Sequence, residues 1–208
     1  NGTKWEKAGG GWSLNGNSGT NPATHFMGTS DNQDIVFKRN NQLSALLNNA
    51  SSNTSFGVGS FNLTTTGTGN TAIGKDALFS IQTGGNNTAI GGQNQYITTT
   101  GSQNTGLGHS ALFQNTSGGD NIAIGVASLG YNSAGSSGIA IGSWAMFQAN
   151  NTTIPFLNTN IAIGSWSLAG SPTPANNTGL GNNGIGFFAL RNNSSGSRNN
   201  TLGTETLF

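Results

Sequence analysis

The chain has 208 residues, of which only 33% are hydrophobic and 6% charged, while 34 are glycine, so both the large core and the charged surface of an ordinary soluble enzyme are missing. A net charge of +1 with eleven Phe and four Trp is equally unlike a disordered chain, which carries high charge and few aromatics. With no cysteine there is no disulfide framework and no thiolate metal centre, and a surface kept in solution by amides and hydroxyls suits an assembled filament better than a diffusing monomer.

Residues 1–50 hold most of the charge (Lys4, Glu6, Lys7, Asp31, Asp34, Lys38, Arg39) and are expected to form an N-terminal cap or junction module ahead of a shaft at 51–208. The opening residues lack the apolar run of a signal peptide, but a chain without an initiator Met reads as processed or partial, and this does not point to the cytosol. Gly9-Gly10-Gly11 reads as a flexible joint, Asp34–Lys38 as a strand, and Gln42–Leu47 as a short apolar segment leading into the shaft. Asp31-Asn32-Gln33-Asp34 lacks the glycine and distal glutamate of a calcium loop and reads as a turn.

From residue 53 a motif of the form Asn-Thr-Ala-Ile-Gly recurs to the end of the chain. Its closing glycines are Gly57, Gly74, Gly91, Gly108, Gly125, Gly142, Gly164, Gly186 and Gly203; five intervals are 17 residues, then come 22, 22 and 17. Eight of the nine motifs begin with asparagine: Asn53, Asn70, Asn87, Asn104, Asn121, Asn160, Asn182 and Asn199. Three and four residues after each glycine stand a small and then a large apolar residue, as in Ala77-Leu78 and Ala111-Leu112. Asn94-Gln95 breaks that rule, and Tyr96 is expected to take the place instead. The two five-residue insertions fall around residues 151–155 and 171–174, where proline marks loops. The copy Asn-Thr-Gly-Leu-Gly at 177–181 is off phase and is expected to be a decoy.

Inside the motif, alternation puts Thr71 and Ile73 on one face of a strand and Ala72 and Gly74 on the other, while glycine in every repeat excludes helices. The expected fold is all-β: a parallel β-solenoid, or β-roll, of 17-residue coils, lengthened to 22 by the insertions. Single coils bury too little to offset the ordering of their backbone, so coils must stack, and further burial from other copies points to an intertwined or side-by-side homotrimer, threefold being the simplest closed arrangement for a rod. The asparagines are expected to stack as an amide ladder, with sugar contact as the functional alternative.

The pattern Trp12-Ser13-Leu14, Gly16-Asn17, Gly19-Thr20, then Phe26-Met27-Gly28-Thr29 with Asp31-Asn32, Val36-Phe37-Lys38 and the Asn-Thr-Ala-Ile-Gly repeats resembles the tail-fibre-domain proteins of phages and Bacteroidota-type bacteria along essentially the whole chain. The repeats alone also resemble the heads of trimeric autotransporter adhesins. These resemblances imply a trimeric, extracellular, surface-displayed fibre, on a virion or a cell.

Little else suggests chemistry. The six carboxylates fall at unrelated repeat phases, so no facing pair for glycoside hydrolysis is expected, and no catalytic residue, cofactor or metal site is assigned. His25 and His109 are isolated, and Lys75, Arg191 and Arg198 are too sparse to bind nucleic acid; no membrane insertion is expected. Trp144 and Trp166 occupy one phase of adjacent coils and are expected to stack, with glycan contact as the alternative. The function expected is a non-catalytic fibre or adhesin shaft for display and attachment. A self-polymerising head-to-tail filament is the first alternative. A glycan- or ice-binding module is the second, with Thr64-Thr65-Thr66 and Thr98-Thr99-Thr100 as partial Thr arrays. Sequons at Asn53, Asn62 and Asn115 leave glycosylation open.

Overall fold

A computed structural model of the chain describes residues 18–21, 23–24, 28–62 and 64–207. The Gly9–Gly11 joint, His25 and the Trp12 and Phe26 portions of the resemblance lie outside the described residues.

The strands are β1 (Ile35–Arg39), β2 (Gln42–Leu47), β3 (Thr54–Phe56), β4 (Thr71–Ile73), β5 (Thr88–Ile90), β6 (Thr105–Leu107), β7 (Ile122–Ile124), β8 (Gly135–Ser136), β9 (Ile139–Ile141), β10 (Phe156–Leu157), β11 (Ile161–Ile163), β12 (Asn183–Ile185) and β13 (Asn200–Leu202). Eleven of them form one sheet in sequence order, with β8 and β10 paired separately. From β3 onward every neighbour in the large sheet is parallel and in phase: Thr71 lies beside Thr88, Ala72 beside Ala89 and Ile73 beside Ile90. One strand is taken from each coil and the chain returns to the same place 17 residues later, or 22 across the insertions. The protein is therefore a parallel β-solenoid. The segment at 177–181 forms no strand and the coil resumes at β12, as the repeat phase requires.

The expected strand at Asp34–Lys38 is β1, and the apolar segment after it is itself a strand. They form a hairpin around Asn40 and Asn41, both with positive φ, the geometry that asparagine tolerates in a tight hairpin turn. β2 then pairs antiparallel with β3, so the hairpin occupies the edge of the first coil. Asp34 ties the base of this arrangement, its carboxylate accepting from Asn48 Nδ2 at 2.9 Å and the Asn49 N–H at 3.0 Å.

Strand alternation decides which side is interior. Ala72, Ala89, Ala123, Ala140 and Ala162 are fully buried, whereas the Thr and Ile on either side of them point outward. Only small side chains fit inside because the coil is narrow. After the strand the chain turns sharply at the repeat glycine. Gly74 has φ +131°, and a Cβ there would lie 2.5 Å from the carbonyl oxygen of Gly91 on the next coil, so conformation and space both demand glycine. The turn continues through two left-handed residues, such as Asp76 at φ +57° and Leu78 at φ +51°. A left-handed leucine costs roughly 1–2 kcal/mol, against roughly 1.5–3 kcal/mol from burying its side chain, and Leu78, Leu112 and Leu129 are wholly buried.

Coil 88–104 departs from its neighbours. Asn94 and Gln95 themselves fill the interior places of the Ala-Leu pair and are fully buried, while Tyr96 stays outside, which corrects the expectation that Tyr96 would substitute for them. The backbone phase is kept, since the Gln95 N–H donates to the Ala111 carbonyl as Leu78 does to Asn94, so residue identity cannot shift the register of a hydrogen-bonded coil. The apolar core is split here, one cluster ending at Ala89 and the next beginning at Ala111.

Where one coil carries an unusual side chain, a neighbour answers with glycine. Asn94 lies over Gly106, where a Cβ would meet its Oδ1 at 2.1 Å; Ser167 lies over Gly184, where the Cβ would be 2.7 Å from its Oγ; and Phe147 covers Gly130. The inner strand position is elsewhere mostly alanine.

Candidate interaction faces

Three sets of side chains repeat along the solenoid: an interior amide row, an outer strand face and aromatic columns on the turns.

The amide row contains all eight predicted asparagines. The Asn104 N–H and Nδ2 both donate to Asn87 Oδ1, at 3.0 and 3.1 Å, and Nδ2 also donates to the Gly118 carbonyl at 2.9 Å. Asn121 repeats this pattern on Asn104, and Asn199 on Asn182. These amides are buried or half-buried and directed at one another, so the row is a ladder that closes the coil from within. It offers no amide array to a sugar. At Gly138, the one motif without a leading asparagine, the Gly138 N–H still donates to Asn121 Oδ1 at 2.9 Å. The buried Asn158 side chain lies against Gly138 and accepts from Asn160 Nδ2 at 3.0 Å, restoring the row. Sequence reasoning missed Asn158 because it stands 20 residues along, beyond the first insertion, and carries no motif of its own.

The outer strand face carries one column of apolar side chains along its whole length. Its third positions are Phe56, Ile73, Ile90, Leu107, Ile124, Ile141, Ile163, Ile185 and Leu202; exposure runs from 36% at Ile90 to 50% at Phe56 for most of them and reaches 79% at Leu202. The first positions are Thr on β3 to β6, Ile on β7, β9 and β11, and Asn on β12 and β13. A regular Thr column thus exists on only four coils. Of the partial array at 98–100, Thr98 faces inward and is fully buried.

Two residues past the repeat glycine, Trp144 and Trp166 stack with centroids 5.1 Å apart and planes 4° apart, as their phase predicts. The following coil brings Phe188 and the Arg191 guanidinium against Trp166, the latter 5.3 Å from the ring centroid, while Phe147 abuts Trp144 edge-on. Adjacent coils therefore cover both faces of Trp166, and an aromatic platform for sugar needs an open face. A second column, Phe79–Tyr96–Phe113, stacks at 5.2 and 5.4 Å five residues past the glycine. Aligning the chain at its 17-residue period would have revealed it.

Other predicted features stay apart. Among the described residues no three His, Cys, Asp or Glu side chains gather as a metal site, and no helix is long and apolar enough to cross a membrane. His109 Nδ1 lies 2.9 Å from Ser110 Oγ, and Lys75 pairs with Asp76 at 3.6 Å. A concavity of about 450 Å³ beside the hairpin is lined mostly by polar residues, including Asp31, Asn32 and Asn48. Sequons at Asn53 and Asn115 are closed to modification in the folded chain because both side chains are buried.

These features define a β-solenoid repeat protein whose regular surfaces are a β-face and stacked turns. No family model, curated protein or solved structure matches the chain.

Proposed function

We propose that the chain is a non-catalytic structural segment of an extracellular fibre, a shaft that displays an attachment region and is completed by association with copies of itself, most simply as a homotrimer. The observation that carries this reading is the outer β-face. About nine strands at roughly 4.8 Å spacing make a strip about 40 Å long, bearing a half-exposed Ile, Leu or Phe on every coil with no charged residue among them. A continuous apolar strip of that length is the signature of an association surface. The near-neutral surface and the resemblance to tail-fibre-domain proteins support the same reading, with the hairpin at the edge of β3 as the cap that shields the first coil. Stacked rings and half-buried Trp edges fit lateral packing better than sugar recognition.

Sedimentation at micromolar concentration tests the proposal. The expected result is a discrete trimer, and replacement of Ile90 and Ile124 together by Asp is expected to release folded monomers with an unchanged circular-dichroism spectrum. A wild-type monomer that melts cooperatively sinks the trimer. Negative-stain images of long uniform fibres would replace it with the head-to-tail polymer.

A further inference from the structure

We propose that coil 88–104 encloses an ordered water molecule held between Thr98 Oγ1 and Asn115 Nδ2, in the place where a second interior amide ladder would otherwise have an oxygen. The inference is independent of the assignment as a fibre.

Seven residues past the repeat glycine, side chains point inward, and successive coils carry Ile81, Thr98, Asn115 and Asn132 there. Asn132 shows what an amide at this position does: its Nδ2 donates to Gly135 O at 2.7 Å within its own turn and to Asn115 Oδ1 at 3.1 Å on the preceding coil. Asn115 makes the first bond, to Gly118 O at 2.8 Å. The counterpart of the second bond, from Asn115 Nδ2 to Thr98 on the preceding coil, is not made. Thr98 Oγ1 is fully buried and makes no hydrogen bond, and Gln95 Oε1, in the same coil, is also buried and unpaired. Turning the Gln95 amide over cannot satisfy that oxygen, because Nε2 already donates to Thr88 O at 2.9 Å.

Room for the water comes from the same comparison. One coil earlier the terminal methyl of Ile81 reaches to 2.8 Å from the point where a Cβ on Gly84 would stand; at the equivalent Gly101 the nearest atoms belong to Gly118, Asn115 and Asn104, not to Thr98. Threonine lacks the terminal methyl that Ile81 places there, and its buried hydroxyl is left without a partner. A water there accepts from Asn115 Nδ2 and donates to Thr98 Oγ1, which supplies the buried hydroxyl with the partner it lacks. It lies in the interval that separates the two apolar clusters.

Water-oxygen magnetic relaxation dispersion on the intact chain, with Thr98→Asn and Thr98→Val beside wild type, tests this. Thr98→Asn supplies the missing Oδ1 and is expected to remove about one long-lived water per chain, with the circular-dichroism spectrum unchanged. Thr98→Val keeps the shape, deletes the hydroxyl and is expected to reduce the same signal. Equal signals from all three proteins overturn the proposal. So does a wild-type density map that resolves waters and shows Thr98 bonded directly to Asn115; should Thr98→Asn fail to fold, that map decides alone.

Discussion

Replacing Gly106 by alanine puts a Cβ 2.1 Å from Asn94 Oδ1 and 2.9 Å from its Cγ, well inside contact distance. Asn94 cannot easily swing away, since its Nδ2 is held by Gly108 O at 2.9 Å and Ile90 O at 3.3 Å. Overpacking of this kind costs about 1–3 kcal/mol, and breaking the amide's bonds to relieve it costs about 1 kcal/mol more. Gly106→Ala is therefore expected to lose about 2–4 kcal/mol, a fall in Tm of about 4–16 °C for a chain this size. Asn94→Ala removes the Gly108 O partner but also a buried, unpaired oxygen, and is expected to stay within about 1 kcal/mol of wild type. The double variant recreates the Ala-over-Ala pairing of Ala77 with Ala89 and Ala111 with Ala123 and should recover most of the loss, a coupling of about 2 kcal/mol. Urea unfolding of the four proteins, monitored by circular dichroism, measures the cycle. Additive losses, with the double variant no better than Gly106→Ala, refute the complementarity of this pair.

Asn104→Ala removes two side-chain donor bonds and leaves the Asn121 N–H and side-chain amide without their shared acceptor, so a loss of about 2–4 kcal/mol is expected in the same unfolding assay. Gly125→Ala meets φ +127° and a Cβ 2.5 Å from Gly142 O, a backbone atom that cannot step aside. A loss above about 3 kcal/mol is expected, seen as early exchange of the Gly142 and Trp144 amides in hydrogen-exchange mass spectrometry.

The period was legible because hydrogen bonding between coils punishes any change of phase: glycine must return at the same backbone position, and asparagine must return beside asparagine. That logic placed the nine coil strands β3 to β7, β9 and β11 to β13, both insertions and the decoy at 177, but not the small β8–β10 pair. The conformation of the turns was not legible. Leu78 and Trp144 are left-handed, yet nothing in leucine or tryptophan signals it, because contacts between coils override the intrinsic preference. Tyr96 was misplaced for a related reason: hydrophobicity favoured the aromatic inside, whereas the backbone turns that position outward whatever it carries. The Trp144–Trp166 stack followed from phase alone. The outer apolar face was visible in Thr-Ala-Ile, but its side remained open until the buried alanines settled which face was interior.

A solenoid made of interchangeable coils has a length that can be altered in whole steps, each of about 4.8 Å. The matched pairs make some of those steps safe and others not. Excision of residues 88–104 removes Asn94 with its coil and sets Gly106 against Ala77 in the place of Ala89, and Phe79 then meets Phe113 in the aromatic column. Excision of 105–121 is the same length but removes Gly106 and slides Ala123 beneath Asn94. Repetitive genes gain and lose repeats by recombination, and this fold would accept such events at most joints and reject them at the few where a side chain recognises its neighbour.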